Sequence, residues 1–372
     1  MQESTRSLSG LALQKFKRNF WSVLSLVIIS LCGLIALFAY LLAPDNSQNA
    51  NQMHLSVHSK PPGFKVDMLK VPSEYNNQSQ SIFSKWFNGD KYSGWEYPYQ
   101  NLELVDKELL VYPYVEGGVL EGVPKKIALT NFKGELTLDA IKENYTTKQV
   151  FLLGTDKYGR DLLSRLLIGS RISFTIGFVA VFISLLIGVF LGSIAGYFGG
   201  KTDAIIMWLI NVVWSIPTLL LVIAITLALG KGLWQVYIAV GLTMWVEVAR
   251  VVRGQVMSIK EQQYVTAAVT LGYSHFRILW YHVLPNSLAP VIVISAANFA
   301  GAILIESGLS FLGIGAQPPV PSWGSMIKDH YSYIILGKAY LAIVPGIAIM
   351  LLVMAFMLLG NGVRDALDVK RN

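Results

Sequence analysis

Charge-free runs of more than twenty residues recur along this chain, and only a lipid bilayer accommodates so many of them in one fold. A helix needs about 20 apolar residues to cross the roughly 30 Å hydrocarbon core. Residues 20–43, 172–200, 204–230, 278–305 and 339–363 reach that length without Asp, Glu, Lys or Arg. A sixth run, 232–251, carries Glu247 and Arg250 near its end, where long side chains snorkel to the interface or face protein. Composition agrees, since charged residues make up 14% of the chain against roughly 25% in soluble proteins. The single cysteine, Cys32, excludes an internal disulfide and any zinc site built from several cysteines.

Net charge is +7 and very unevenly distributed. Residues 45–150 hold 11 Lys and no Arg against 13 acidic residues, which leaves 19 basic against 10 acidic elsewhere. This is the pattern of helix-flanking charge, not of a nucleic-acid groove. Arg6, Lys15, Lys17 and Arg18 precede the first run with only Glu3 opposing, and no basic residue follows it before Lys60. The positive-inside bias therefore puts residues 1–19 in the cytoplasm. Six spans bring 363–372 to the same side and leave 44–150 outside; Lys231 alone sits on the wrong side. At 24 residues the first run exceeds the h-region of a signal peptide and reads as an uncleaved anchor.

Segment 44–150 is polar at its start and then carries aromatic stretches. Alternation over 108–115 and the Gly117-Gly118 pair predict short strands and turns, giving a small α+β or β-rich insert. His54 and His58 stand four apart in polar sequence with no third ligand nearby, and read as loop histidines.

Two motifs invite catalytic readings that their context opposes. GYFGGKT at 196–202 ends like a phosphate-binding loop, but position 195 is Ala where that loop requires Gly, and the segment is a turn between spans. GTDKYGRDLLS at 154–164 reads as an interfacial elbow helix over 151–170, capped by Thr155 or Asp156 and holding Arg160, Arg165 and Arg171 toward headgroups. Acid-base work by Asp156 and Asp161 would lack a His, a Ser nucleophile and a metal-ligand set. Glu306, at the outer end of the fifth span, is the carboxylate deepest in an uncharged run. Its insertion cost of roughly 2.5–3.5 kcal/mol at a helix centre requires it to face protein or water. Both a structural partner and a place on a substrate pathway remain open for it.

The stretch 259–285 reads as helix, turn, helix, with Tyr264, Ala268 and Leu271 on one face, Gly272 ending the first helix and Ser274 capping the next. Small Ala267 and Ala268 allow another surface to approach. Thr266-Ala267-Ala268, Gly272 and Leu284-Pro285 sit at the spacing E-A-A-x3-G-x9-I-x-L-P, with Thr266 and His282 departing from it. This resembles the EAA loop of binding-protein-dependent ABC transporter permeases. GTDKYGRDLLSR at 154–165, AGYFGGKTD at 195–203, LSFLGIGAQPPVPSWG at 309–324 and GNGVRDALD at 360–368 are similar to the C-type permease subunits of oligopeptide and dipeptide importers. The likeness covers residues 150–372.

The resemblance implies an all-α membrane protein with six transmembrane helices and a type I ABC importer permease core, interrupted by the insert, in the inner membrane of a bacterium. It implies a second permease subunit, two ATP-binding cassette ATPase subunits that hydrolyse ATP, an extracytoplasmic substrate-binding protein, and no cofactor or metal. It gives the coupling role to Tyr264, Thr266, Ala267, Ala268, Leu271, Gly272, His282, Leu284 and Pro285. Gly154, Thr155, Asp156, Gly159, Arg160, Asp161, Pro318, Pro319, Trp323 and Gly324 become structural signature positions. Cargo is peptide, with nickel chelate, glutathione or an antimicrobial peptide as alternatives. A membrane-anchored sensor or enzyme acting through 44–150 would need a ligand or catalytic constellation there, and a channel would work without ATPases.

Overall fold

The computed structural model describes residues 8–72, 80–91, 94–117, 123–132 and 137–367. Gly118, residues 1–7 of the N-terminal tail and residues 368–372 of the C-terminal tail lie outside the described residues. The chain divides into two compact units, one of residues 1–33, 173–317 and 347–372, the other of residues 34–172 and 318–346.

The first unit is helical. It holds α1 (Leu8–Arg18) and most of α2 (Phe20–Leu37); beyond a break at Phe38, the short α3 (Ala39–Leu42) falls in the second unit. Among the described residues, five helices are long and apolar enough to cross a membrane: Phe20–Leu37, Leu162–Phe198, Leu233–Lys260, His275–Phe311 and Tyr340–Leu367. The uncharged run 204–230 is not one straight helix. It folds as Gly200–Trp214 and Thr218–Leu229, bent by 88°, so that it counts as a sixth span only if the pair is one broken crossing. Pro217 causes the break, because it has no N–H and its ring clashes with the preceding turn.

The hub of this unit is Leu233–Lys260, whose residues Val240, Val248, Ala249, Val252 and Val256 are buried. It packs against the helices before and after it. Its partner Leu162–Phe198 runs 37 residues without interruption. Three glycines one turn apart face the hub helix. A Cβ at Gly188 would lie 2.5 Å from Val248 Cβ, one at Gly192 2.5 Å from the Ala249 carbonyl oxygen, and one at Gly196 2.7 Å from the Arg253 carbonyl oxygen. The two backbones meet where no side chain fits.

The second unit holds the insert, which is the small α+β body that the alternation predicts. Its antiparallel sheet has the order β4-β3-β2-β1-β5, with β1 Phe64–Val71, β2 Trp95–Val105, β3 Glu108–Pro113, β4 Lys125–Ala128 and β5 Thr146–Phe151. One face of the sheet buries Leu69, Leu102, Leu109 and Val111 under Ile141 of the helix Leu138–Tyr145. That helix is capped by Thr137, whose Oγ1 accepts the Ala140 N–H.

Candidate functional site

The loop that leaves the hub helix folds as the sequence expects, helix, turn, helix: α10 in chain order (Gln263–Thr270), then His275–Ile278 running through a π-helical turn (Leu279–Val283) into the long helix Leu284–Phe311. Gly272 adopts φ +77°, the left-handed conformation that ends α10. Ser274 caps the next helix, its Oγ accepting the Arg277 N–H at 3.4 Å. Pro285 sits in the first turn, where a missing N–H removes no hydrogen bond.

The faces differ from the sequence reading. Ala268 is buried with Val265, Ile278, Leu279, Val283 and Leu284 in the chain's own core, against Val252 and Val256 of the hub helix. Tyr264 and Leu271 are exposed, and they do not share Ala268's face. Leu271 is the C-cap residue, so the helical face drawn through Ala268 does not extend to it. Thr266 and Ala267 point outward with them, beside exposed Phe276, Trp280 and Tyr281. His282 stacks on Tyr273 at 6.0 Å. The loop thus has an inner side of small and branched residues fixed to the bundle and an outer apolar side.

The GYFGGKT turn ties the long helix to the hub helix and to the loop. Gly196 lets the backbone touch the hub helix, and Tyr197 reaches the loop, with its hydroxyl 3.0 Å from His275 Nδ1. Lys260 donates to the Tyr197 carbonyl at 2.6 Å, and Arg253 donates to both oxygens of Asp203 at 2.5 and 2.6 Å. Lys201 is exposed. In the C-terminal motif Gly362 meets Ser22, where a Cβ would come within 2.0 Å of the hydroxyl.

Glu306 is fully buried. Its Oε1 accepts the Ser310 hydroxyl at 2.6 Å, while Ser310 Oγ accepts the Ala316 N–H at 3.0 Å. The LSFLGIG turn therefore folds back over the carboxylate.

In the second unit the GTDKYGRDLLSR motif forms a clasp, and two expectations about it are corrected. No separate elbow helix spans 151–170, because the long helix begins at Leu162. Thr155 and Asp156 do not cap it; Asp161 does, through the Ser164 N–H at 2.8 Å and the Ser164 hydroxyl. Arg160 and Arg165 turn inward and are buried. Asp156 accepts the N–H groups of Tyr158 and Arg160 at 2.8 and 2.9 Å on Oδ1 and the Arg160 guanidinium at 2.6 Å on Oδ2, with Arg165 at 3.8 Å. Each charge in such a buried cluster depends on the others, because removal of one partner leaves the rest uncompensated. The same segment holds the start of the insert. Thr155 Oγ1 donates to Val57 O at 2.5 Å and accepts the Lys60 N–H at 2.9 Å, while Arg160 reaches Asn51 at 3.1 Å. Gly154 and Gly159 have φ of +80° and +74°. A Cβ at Gly159 would lie 1.8 Å from the His54 carbonyl oxygen.

The PPVPSWG motif lies against this clasp. The Pro318-Pro319 bond is cis, Ser322 caps the helix Trp323–His330 with a capping box, and Trp323 and Gly324 are buried. The Trp323 indole donates to Leu166 O at 2.9 Å. Lys157 pairs with Asp329 at 3.0 Å. Sequence reasoning passed over Asn51, Lys157, Asp329 and His330, which lie far apart along the chain. The glycine row 188, 192, 196 carries a legible signal, small residues every fourth position within a span. His54 is buried and His58 exposed, at either end of the turn Leu55–Val57, and among the described residues no group of three His, Cys, Asp or Glu is placed to hold a metal.

His330 is buried and neutral in this arrangement. Its Nδ1 donates to Met326 O at 2.7 Å and its Nε2 accepts the Lys157 N–H at 3.3 Å. Burial pushes its pKa below the ordinary histidine value, against the pull of Met326 O, Asp156 and Asp329. A group with a depressed folded pKa contributes stability above its unfolded value, about 6.5, that is lost as pH falls through the folded one. Thermal unfolding of the purified protein is expected to show a melting temperature that drops as pH falls below about 6.5. His330→Gln, which keeps polar atoms but does not titrate, is expected to flatten that drop, and identical pH profiles for the two would show that His330 does not set it.

Spans in this number, joined by a helical loop that is anchored on one side and apolar on the other, define a polytopic membrane permease. Residues 188–371 match the family described as binding-protein-dependent transport system inner membrane component, and residues 7–62 match the N-terminal TM domain of oligopeptide transport permease C. The chain is 42% identical over 217 residues to the dipeptide transport system permease protein DppC of Alkalihalophilus pseudofirmus, covering 58% of this chain and 71% of that one. It is 42% identical over 217 residues to the oligopeptide transport system permease protein OppC of Bacillus subtilis, covering 58% and 71%. It is 38% identical over 242 residues to the glutathione transport system permease protein GsiD of Pectobacterium atrosepticum, covering 65% and 80%. Among solved structures, the MetNI methionine ABC transporter in inward-facing conformations aligns at TM-score 0.46 and 18% identity, over 54% of this chain and 95% of that one. The chain belongs to the inner-membrane permease components of binding-protein-dependent transport systems. It is a multi-pass membrane protein of a class that is not itself enzymatic.

Proposed function

We propose that this chain is one of two permease subunits of an ATP-driven peptide importer, with residues 1–19 and 363–372 in the cytoplasm, the 44–150 insert outside, and loop 253–285 receiving the ATPase subunits. Peptide cargo is supported by the relatives named for dipeptide and oligopeptide transport. Glutathione, the cargo in the name of a third relative, is itself a small peptide. The observation that carries the coupling reading is the two-sided loop. Its inner side is fixed to the hub helix through Ala268 and to the glycine-rich turn through Tyr197 and His275. A push on its exposed side, at Ala267 and Leu271, passes into the helices without an intervening flexible link. Hydrolysis of ATP belongs to the partner subunits, and Lys201 serves as a surface charge.

Leu271 is 73% exposed, so Leu271→Asp leaves the fold intact while placing an unpaired carboxylate in the docking surface. It is expected to reduce peptide uptake at least tenfold and to strip ATPase subunits from the purified complex, as one buried unpaired charge costs several kcal/mol. Gly272→Val, which forces a β-branched residue into the left-handed region at about 1–2 kcal/mol, is expected to uncouple more weakly. Thr266→Ala, which gives up only a 3.5 Å contact to Gln262 O, is expected to be near neutral. Ala268→Trp would invade the chain's own core and reports on folding. Normal uptake and normal ATPase retention by Leu271→Asp would exclude this loop as the docking element.

A further inference from the structure

Helix Leu233–Lys260 extends nine residues beyond the apolar run 232–251 that revealed it. That extension changes the position of Glu247. At 1.5 Å per residue the helix is about 42 Å long, and Glu247 lies 14 residues from one end and 13 from the other. The helix is longer than the roughly 30 Å hydrocarbon core, and Glu247 lies six residues, about 9 Å, before the loop 253–285; a carboxylate inside a spanning helix has to face protein or water. Yet Glu247 is exposed on its own chain, flanked by buried Val246 and Val248. Neither neighbouring cation on the helix serves it. Arg250 donates to Asn211 at 2.8 Å and lies 3.4 Å over the Trp214 ring, and Arg253 is bound to Asp203. Among the described residues no ion pair engages Glu247.

Glu247 lines a cavity of about 340 Å³ beside the bend at Pro217, with Val213, Trp214, Ile216, Met244 and Asn298. That volume lies in the range of small-ligand sites, which pair apolar walls with a few polar groups. Asn298 is the second observation. It is 2% exposed, and its side-chain nitrogen is buried without a hydrogen bond among the described residues. A buried amide without a partner is costly, and its retention in a helix centre asks for a partner that arrives from outside the chain.

We propose that Glu247 and Asn298 form a recognition subsite on the translocation pathway, toward its cytoplasmic end, for the amino-terminal end of a peptide. The Glu247 carboxylate accepts hydrogen bonds from the α-ammonium group, Asn298 engages the first peptide carbonyl, and the apolar wall of Val213, Ile216 and Met244 receives the first side chain. The chemistry selects this ligand. A carboxylate surrounded by apolar walls binds a cation, an amide pairs with an amide, and a free peptide N-terminus presents both groups on adjacent atoms. The subsite rests on the reading of this chain as a peptide-importer permease.

The test is uptake of radiolabelled trialanine by the complete transporter, reconstituted in proteoliposomes with its binding protein. Glu247→Gln is expected to lower uptake about tenfold, the effect of losing one charge-assisted hydrogen bond. Affinity of the binding protein for trialanine and retention of all subunits are expected to stay unchanged. Glu247→Asp is expected to recover part of the rate, and Asn298→Leu to reduce it less than Glu247→Gln does. Wild-type uptake by Glu247→Gln would overturn the subsite. So would loss of the second permease from that variant, since Glu247 would then be an intersubunit ion-pair partner. No trialanine uptake by the wild-type transporter, with every subunit present, would overturn the peptide reading and the subsite with it.

Discussion

Asp156→Ala is expected to destabilise the protein by about 3–5 kcal/mol, enough to deplete it from the membrane. The magnitude follows from what is left behind. Arg160 and Arg165 are both buried, and Asp156 is the carboxylate in contact with their guanidiniums. Removing one member of a buried ion cluster strands the remaining charges without water. The backbone loses as well, because Asp156 Oδ1 also accepts the N–H groups of Tyr158 and Arg160. Asp156→Asn keeps an acceptor oxygen and is expected to fall between wild type and Asp156→Ala. Melting curves of the detergent-solubilised complex measure this ordering. A shift for Asp156→Ala no larger than that of a surface substitution would mean that the arginines find water or other acceptors, and that the clasp is not held by this ion cluster.

Gly192→Val is the second large effect. The ideal Cβ position at residue 192 lies 2.5 Å from the Ala249 carbonyl oxygen and 3.0 Å from its Cα, both backbone atoms that no rotamer moves aside. The helices must separate, which opens gaps along the rest of the contact. Overpacking of this kind costs about 3 kcal/mol. Gly192→Ala tests the same contact with one methyl group and is expected to cost less. Protease resistance of the membrane-embedded protein and its melting temperature should fall in the order wild type, Gly192→Ala, Gly192→Val. By contrast Gly254→Ala, on the hub helix with nothing within 4 Å of its Cβ position, is expected to be neutral or slightly stabilising. Equal stability of Gly192→Val and Gly254→Ala would remove the glycine row from the account of how this bundle is held.

Spans and loop were legible because each leaves a one-dimensional trace. Charge-free runs mark helices that lipid must surround, and Gly272 marks the left-handed residue that ends α10. The bend at residues 215–217 leaves no trace in charge, so run 204–230 reads as one crossing even though Pro217 stands in it. Depth is illegible for a related reason. The run containing Glu247 ends at 251, before Arg253, whereas the helix continues to Lys260 on hydrogen bonds that charge does not interrupt. The arginines of the clasp were read by the general rule that such residues reach for headgroups. That rule is overridden at Arg160 and Arg165 by a carboxylate that only the folded turn brings into reach. Ala268 shows the limit of helical periodicity. Its spacing from Tyr264 is right for a shared face, but which neighbour covers a face is decided by residues such as Val252 and Val256, more than ten positions away.

The glycine row also bears on how force and displacement divide within the first unit. Most helix pairs meet through side chains, whose rotamers act as a cushion and let one helix slide past the other in small steps. At residues 188, 192 and 196 one helix offers bare backbone to the carbonyls and Cβ atoms of the other, and the cushion is thin. The two helices there behave as a single strut, stiff along its whole contact and fastened at one end to the loop by Tyr197 and Lys260. A strut transmits a stroke without absorbing it. The crease at Ser215–Pro217, where Gly200–Trp214 and Thr218–Leu229 meet at 88°, lies outside the strut, so the stroke it carries does not have to pass through a bend.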